Sequence, residues 1–290
     1  MFPWIDYRGR FSPLRACVFA ALFAPAIYVA LGLEFNWLGS RPLTEAIHQL
    51  GLWTIRFICI ALAISPARKL LDWPRLIEVR RMVGVAACFY VLAHLLFYTI
   101  DEGWALGTVA SEIVYRIYLT IGFTALVGLV VLASTSTDGM VRRLGRRWQK
   151  LHRVVYLIAV LACVHYFIQS KADVWEPLWI AGFFVWLMGW RALDHFAPRG
   201  RQVPLWQLAL WCVGAAAITG FGEAIYYVVS LGAPFAAFIG ANFSTDAGVR
   251  PSWIVLGVSL AVILVAAVRR FTGPRAASPA RSRASAVRGA

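Results

Sequence analysis

Charge is scarce in this chain. Only 14% of its 290 residues are Asp, Glu, Lys or Arg, where a soluble domain carries about 25%. That shortage excludes an ordinary water-soluble domain. Nucleotide-binding loops are missing as well: no GxGxxG follows a strand pattern and no P-loop is present. The fragment GFGEA at 220–224 lies in an apolar run and lacks the third glycine. The chain therefore brings no NAD(P)H-binding domain and no ATP motor. Cysteine is sparse and scattered. Cys17, Cys59, Cys88, Cys163 and Cys212 sit in apolar runs, at least 29 residues apart and without a CxxC, which argues against iron–sulfur and zinc sites. They read as small core residues. No small-residue cleavage site follows the first apolar run, so no removable signal peptide is expected.

What the chain does have is long apolar runs, with 60% hydrophobic residues overall. Eight runs cover about 15–33, 50–66, 82–100, 115–134, 151–170, 174–192, 204–230 and 251–268, each near the length that spans a bilayer as a helix. The net charge of +14 would suggest nucleic acid if the basic residues were spread evenly. They are not. Segments 1–15, 67–81, 142–150, 191–201 and 269–288 together hold 22 Lys or Arg, and the alternate connections hold four: Arg41, Arg116, Lys171 and Arg250. Those connections also carry Glu34, Glu45, Asp101, Glu102 and Glu112. This alternation is the positive-inside pattern. It places both termini in the cytoplasm, requires an even number of spans, and accounts for the basic excess without nucleic acid.

Three histidines lie within or at the edge of apolar runs: His94, His152 and His165. An ionisable side chain inside a membrane is costly and marks a functional site by default, and imidazole is a usual protein ligand to haem iron. His94 and His165 sit on two different outward-running spans, each roughly 18–21 Å from the basic end at 1.5 Å per residue. Matched depth lets two imidazoles ligate one iron from opposite faces. Gly84, Ala86, Ala87 and Ala93 on the third span are expected to leave room for a porphyrin. His152 lies near the basic end of the fifth span, where it suits a second haem or an interfacial hydrogen bond. The matching depth on the third span holds Arg80 and Arg81, which cannot ligate iron but can pair with haem propionates or a phosphate. His48 and His195 read as interfacial residues, and Glu223 reads as an interfacial carboxylate or, as the alternative, a proton or partner contact. The stretch 231–250 reads as a re-entrant or interfacial segment.

Several segments carry a recognisable pattern: RRMVG (80–84), AHLLFY (93–98), YLTIG (118–122), LASTST (132–137), LGRRWQKLHRVVY (144–156) and HYFIQSK (165–171). Over about 45–192 the chain resembles the haem-binding membrane subunits of the bacterial periplasmic methionine-sulfoxide reductase system, the MsrQ (YedZ) family of the ferric-reductase-like transmembrane group. The resemblance implies a b-haem conduit with one or two haems and haem histidines at His94, His152 and His165. It also implies bound FMN, electrons from the quinone pool or a cytosolic flavin reductase, and a periplasmic molybdopterin partner, MsrP, that reduces methionine sulfoxide in proteins. NADPH oxidases share the bundle but add a cytosolic FAD/NADPH domain, which is missing here. Two departures stand out: Ile168 replaces a tryptophan often found three residues after the second histidine of the fifth span, and residues 204–268 add two spans without a matching motif.

The expected architecture is an all-α integral membrane bundle of about eight spans. It comprises a cytoplasmic N-terminus (1–14), a ferric-reductase-like haem-binding core (15–192), two further spans (193–268) and a disordered basic cytoplasmic tail (269–290), the whole set in inner-membrane lipid; the tail reads as a solvated end sooner than as a lipid-bound one. The expected role is electron transfer, with no catalytic residues of its own. The competing readings are a ferric or quinone-linked reductase with another acceptor, or a non-redox transporter. The charge pattern makes a direct prediction. A periplasm-active reporter fused after residue 290 should be silent, and a strongly active fusion would refute the topology.

Overall fold

The computed structural model describes residues 2–6, 8–171, 173–198, 202–232, 234–244 and 248–272, so the expected tail beyond 272 lies outside the described residues. Among them every long apolar run is helical. The helices are α1 (Pro13–Ala21), α2 (Ala24–Glu34), α3 (Pro42–Leu70), α4 (Ile77–Asp101), α5 (Leu106–Tyr115), α6 (Ile117–Ser134), α7 (Asp138–Leu144), α8 (Arg146–His152), α9 (Val155–Gln169), α10 (Trp175–Phe196), α11 (Leu205–Leu231), α12 (Phe235–Ala241) and α13 (Pro251–Thr272).

By length and composition seven segments can cross a membrane: 13–34, 42–70, 74–101, 117–134, 146–169, 205–231 and 251–272. These are seven of the eight expected spans. The eighth, 174–192, is present as the 22-residue α10. Its four tryptophans and Glu176, Arg191 and Asp194 keep it less apolar than the rest. It nonetheless lies along α3 over much of that helix's length, through ion pairs Arg56–Glu176 at one end and Lys69–Asp194 at 2.6 Å at the other.

The helices pack into one core. α3 lies against α4, α6 against α9, and α10 joins α3 and α9 to the α11–α13 pair. The buried cluster runs through all of these, with Ile58, Leu62, Ile158 and Leu208 almost fully enclosed. Two local devices show how helix defects are repaired in surroundings that supply no water. Pro66 lies inside α3 and has no N–H, which frees the carbonyl of Leu62 four residues earlier. Arg191 of α10 donates to that carbonyl at 2.5 Å and to the Tyr156 hydroxyl at 3.2 Å. Between α1 and α2, the Tyr90 hydroxyl enters the helical ladder, accepting from Ala26 N at 3.0 Å and donating to Leu22 O at 2.7 Å. A side chain inserted this way bends a helix, and the first span is accordingly two helices.

The segment 231–250 includes the short α12, and Asn242 just after it turns inward to Glu223 and accepts from the Ser252 hydroxyl at 2.6 Å. Glu223 is 1% exposed, with Arg250 donating to it at 2.5 Å. The acid faces inward between α11 and α13, where only a partner charge makes burial tolerable. Arg250→Ala should therefore lower stability by about 3 kcal/mol, because it leaves Glu223 buried and unpaired. Thermal unfolding in detergent micelles checks this, and pairing the change with Glu223→Gln should recover most of the loss. An unchanged midpoint in the single variant would contradict the pairing.

Candidate functional site

The site lies where the α3–α4 pair meets the α6–α9 pair. His94 from α4 and His165 from α9 line one cavity of about 650 Å³, inside the range of small-molecule and cofactor sites, about 300–1,000 Å³. Their ring centroids are 6.4 Å apart and the rings are nearly perpendicular, at 87°. Each Nδ1 is bound to a main-chain carbonyl of the neighbouring pair member. His94 meets Ile47 O on α3 at 2.8 Å, and His165 meets Tyr118 O on α6 at 2.8 Å. A carbonyl can only accept, so Nδ1 carries the proton in both rings. Each Nε2 is then an unprotonated lone pair. Among the described residues neither Nε2 has a hydrogen-bond partner.

That spacing can be compared with ligation of a single metal. Two metal–imidazole bonds of about 2 Å, plus about 1.1 Å from each nitrogen to its ring centre, put the centroids ~6 Å apart. The observed 6.4 Å agrees. Two imidazoles do not complete the shell of a bare ion, and among the described residues no group of three or more His, Cys, Asp or Glu side chains converges. An iron held in a porphyrin needs only two axial ligands. The residues present fit a haem.

The room for it comes from other residues than expected. Gly84, Ala86, Ala87 and Ala93 do not line the cavity, and Ala87 is wholly buried in the core. Ala86, Ala87 and Ala93 pack in or against the core instead, and Gly84 faces open space. Gly51 of α3 and Gly122 of α6 line the cavity and face the two imidazoles. Gly122 stood in the YLTIG motif and Gly51 in none, and no residue spacing connects a glycine on one helix with a histidine on another. At the cavity's acidic end stand Glu45, His48, Gln49, Asp173 and Glu176, with Glu176 held by Arg56 and by the Tyr166 hydroxyl, which donates to it at 3.1 Å. His195 is exposed at the far end of α10.

His152, Arg80 and Arg81 lie apart from this pair, near the basic end. The His152 ring stacks on Trp148 with centroids 3.9 Å apart, and its Nε2 lies 3.2 Å from Thr135 Oγ1. The Thr135 hydroxyl also lies 2.8 Å from Val131 O and 3.1 Å from Leu132 O. The two arginines separate. Arg81 points out to Asp138 of α7, and its guanidinium holds that carboxyl below the usual carboxylate range. Arg80 is half-buried, and its charged neighbours are Arg191 and Arg68, with Tyr156 alongside. Among the described residues Arg80 has no carboxylate partner, which leaves an unbalanced positive site.

A family profile described as the ferric reductase like transmembrane component matches residues 46–163, a stretch that contains His94 and His152 and ends two residues before His165. The chain is 36% identical over 194 residues to the protein-methionine-sulfoxide reductase heme-binding subunit MsrQ of Azospira oryzae, covering 66% of this chain and 83% of that protein. The MsrQ of Rhodospirillum rubrum is 44% identical over 187 residues, covering 64% and 90%, and that of Xanthomonas campestris 40% over 194 residues, covering 64% and 88%. The chain belongs to the MsrQ family. These MsrQ relatives are matched over most of their own length, whereas a substantial part of this chain lies outside the likeness. No solved structure matches the chain.

Proposed function

We propose that this protein is the haem-binding, electron-conducting membrane subunit of a protein-methionine-sulfoxide reductase system, with one b haem held between His94 and His165. The observation that carries this reading is the imidazole pair: two rings 6.4 Å apart on one cavity, each with Nδ1–H bound to a carbonyl and Nε2 open. A haem bound there supplies a one-electron centre inside the membrane. The chain's own part is to hold both imidazoles in the ligating tautomer, to line the cavity with Leu126, Leu129 and Ile58 so that water is excluded, and to leave an acidic mouth at Glu45, Asp173 and Glu176. The names of the MsrQ relatives support haem as the group and methionine-sulfoxide reduction as the process served.

The rest of the reading concerns the two ends. Arg80, Arg81 and His152 form the receiving end, which faces the cytoplasm if the basic segments lie inside. Arg80, unbalanced by any carboxylate, suits an anionic donor group such as the phosphate of FMN or a quinone head group, with the quinone pool or a cytosolic flavin reductase as source. The acidic mouth faces the periplasm of an inner-membrane protein and is where the molybdopterin subunit MsrP docks to take up electrons. The chain carries the electrons and MsrP carries the catalysis.

Purified protein should show a dithionite-reducible b-haem spectrum. His94→Ala and His165→Ala should each abolish most of that absorbance, and neither variant should restore methionine-sulfoxide repair in cells lacking the native copy. Full haem retention in both variants would overturn the assignment. A haem protein that reduces ferric chelates while repair proceeds without it would move the acceptor from MsrP to iron.

A further inference from the structure

The two halves of the site repeat each other. Ile47, Gly51 and His94 form one set, and Tyr118, Gly122 and His165 form the other, each member of the second lying 71 positions after its counterpart. In both sets the glycine follows the accepting carbonyl by four residues on the same helix. That spacing has a physical consequence. Every Cα–Cβ bond in a helix tilts toward the N-terminus, so the side chain at i+4 lies over the carbonyl of residue i. A carbonyl oxygen has two lone pairs, and the helix uses one. With glycine at i+4 the second stays open to a donor from another helix.

We infer that Gly51 and Gly122 are positioning residues for the two imidazoles: they uncover the carbonyls of Ile47 and Tyr118, lock Nδ1–H on each ring, and so set the donor strength of both Nε2 atoms. The inference rests on the reading that the pair holds a haem. The fit is close on both sides. A Cβ added at Gly51 would stand 3.0 Å from His94 Nδ1 and 3.1 Å from Cε1, and at Gly122 it would stand 2.7 Å from His165 Nδ1 and 2.8 Å from Cε1. Each ring lies against its glycine, so any side chain there displaces the imidazole from its carbonyl. A hydrogen bond from Nδ1–H raises the basicity of the ligating nitrogen, and a stronger donor favours the oxidised iron. The two glycines thereby hold the reduction potential low, in the direction that makes the centre give up electrons readily. The same 71-residue step carries Arg81 onto His152, so the duplicated cradle occurs at the His94–His165 pair and the basic end lacks a second histidine in register.

The contacts rank the expected effects. Gly122→Ala, with the closer approach, should raise the haem midpoint potential most and perturb the low-spin spectrum. Gly51→Ala should do so less. Gly84→Ala, on the same helix as His94 but with nothing within 4 Å of an added Cβ, should match the wild type. Redox titration of the purified haem-loaded proteins, followed at the α band, reads all three. If Gly122→Ala fails to accumulate, the milder Gly51→Ala still decides the point. Potentials and spectra of both variants equal to those of Gly84→Ala, with haem retained, would overturn the positioning role and leave the haem reading intact. Wild-type protein that binds no haem, as purified or on reconstitution with hemin, would overturn both.

Discussion

The donation of Nδ1–H from His94 and His165 to two backbone carbonyls is the interaction on which the site depends. It joins α4 to α3 and α9 to α6 at the same level, and it fixes which nitrogen of each ring faces the cavity. In a bilayer core there is no water to satisfy an imidazole N–H, so a partner inside the protein is needed. A helical carbonyl with an uncovered lone pair provides one without a second ionisable group. The rest of the bundle holds these four helices at the spacing the pair requires. α10 braces α3 through the Arg56–Glu176 and Lys69–Asp194 pairs, and through Arg191 on the carbonyl that Pro66 leaves open.

Much of this architecture was legible in the sequence because membranes impose simple rules. Apolar length marked the spans, and the alternation of Arg-rich and acidic connections marked two unlike ends. The pairing of His94 with His165 followed from equal depth along two outward helices, since depth depends only on rise per residue. Facing relationships were not legible in that way. The small residues of the third span looked like room for a cofactor, yet Ala87 packs into the core and the room comes from Gly51 and Gly122 on helices three and six. Which glycine faces which histidine depends on helix rotation, and apolar runs with hydrophobic residues all round give rotation no signal. Glu223 shows the same limit: nothing in its spacing indicated that the rotation of α11 turns it to Arg250 and Asn242.

Charge divides the molecule along its length. At the acidic end Glu45, Asp173 and Glu176 surround the cavity mouth, while at the basic end Arg80 stands near Arg68 and Arg191 without an acid beside it. Arg81, one residue on, is already neutralised by Asp138. Two adjacent arginines therefore differ, one paired with an acid of α7 and the other without a carboxylate partner among the described residues. The α11–α13 pair packs chiefly against α10 and meets α9 through the Tyr226–Phe167 ring pair, so it mainly stabilises the brace.

The central claim is that His94 and His165 ligate one iron with the ring planes nearly perpendicular. Low-temperature EPR of the oxidised, haem-loaded protein tests this most directly. Crossed imidazole planes predict a highly anisotropic low-spin ferric signal that disappears when either histidine is replaced by alanine. A purely high-spin signal in the wild type, or a low-spin signal that survives both single replacements, would contradict the account.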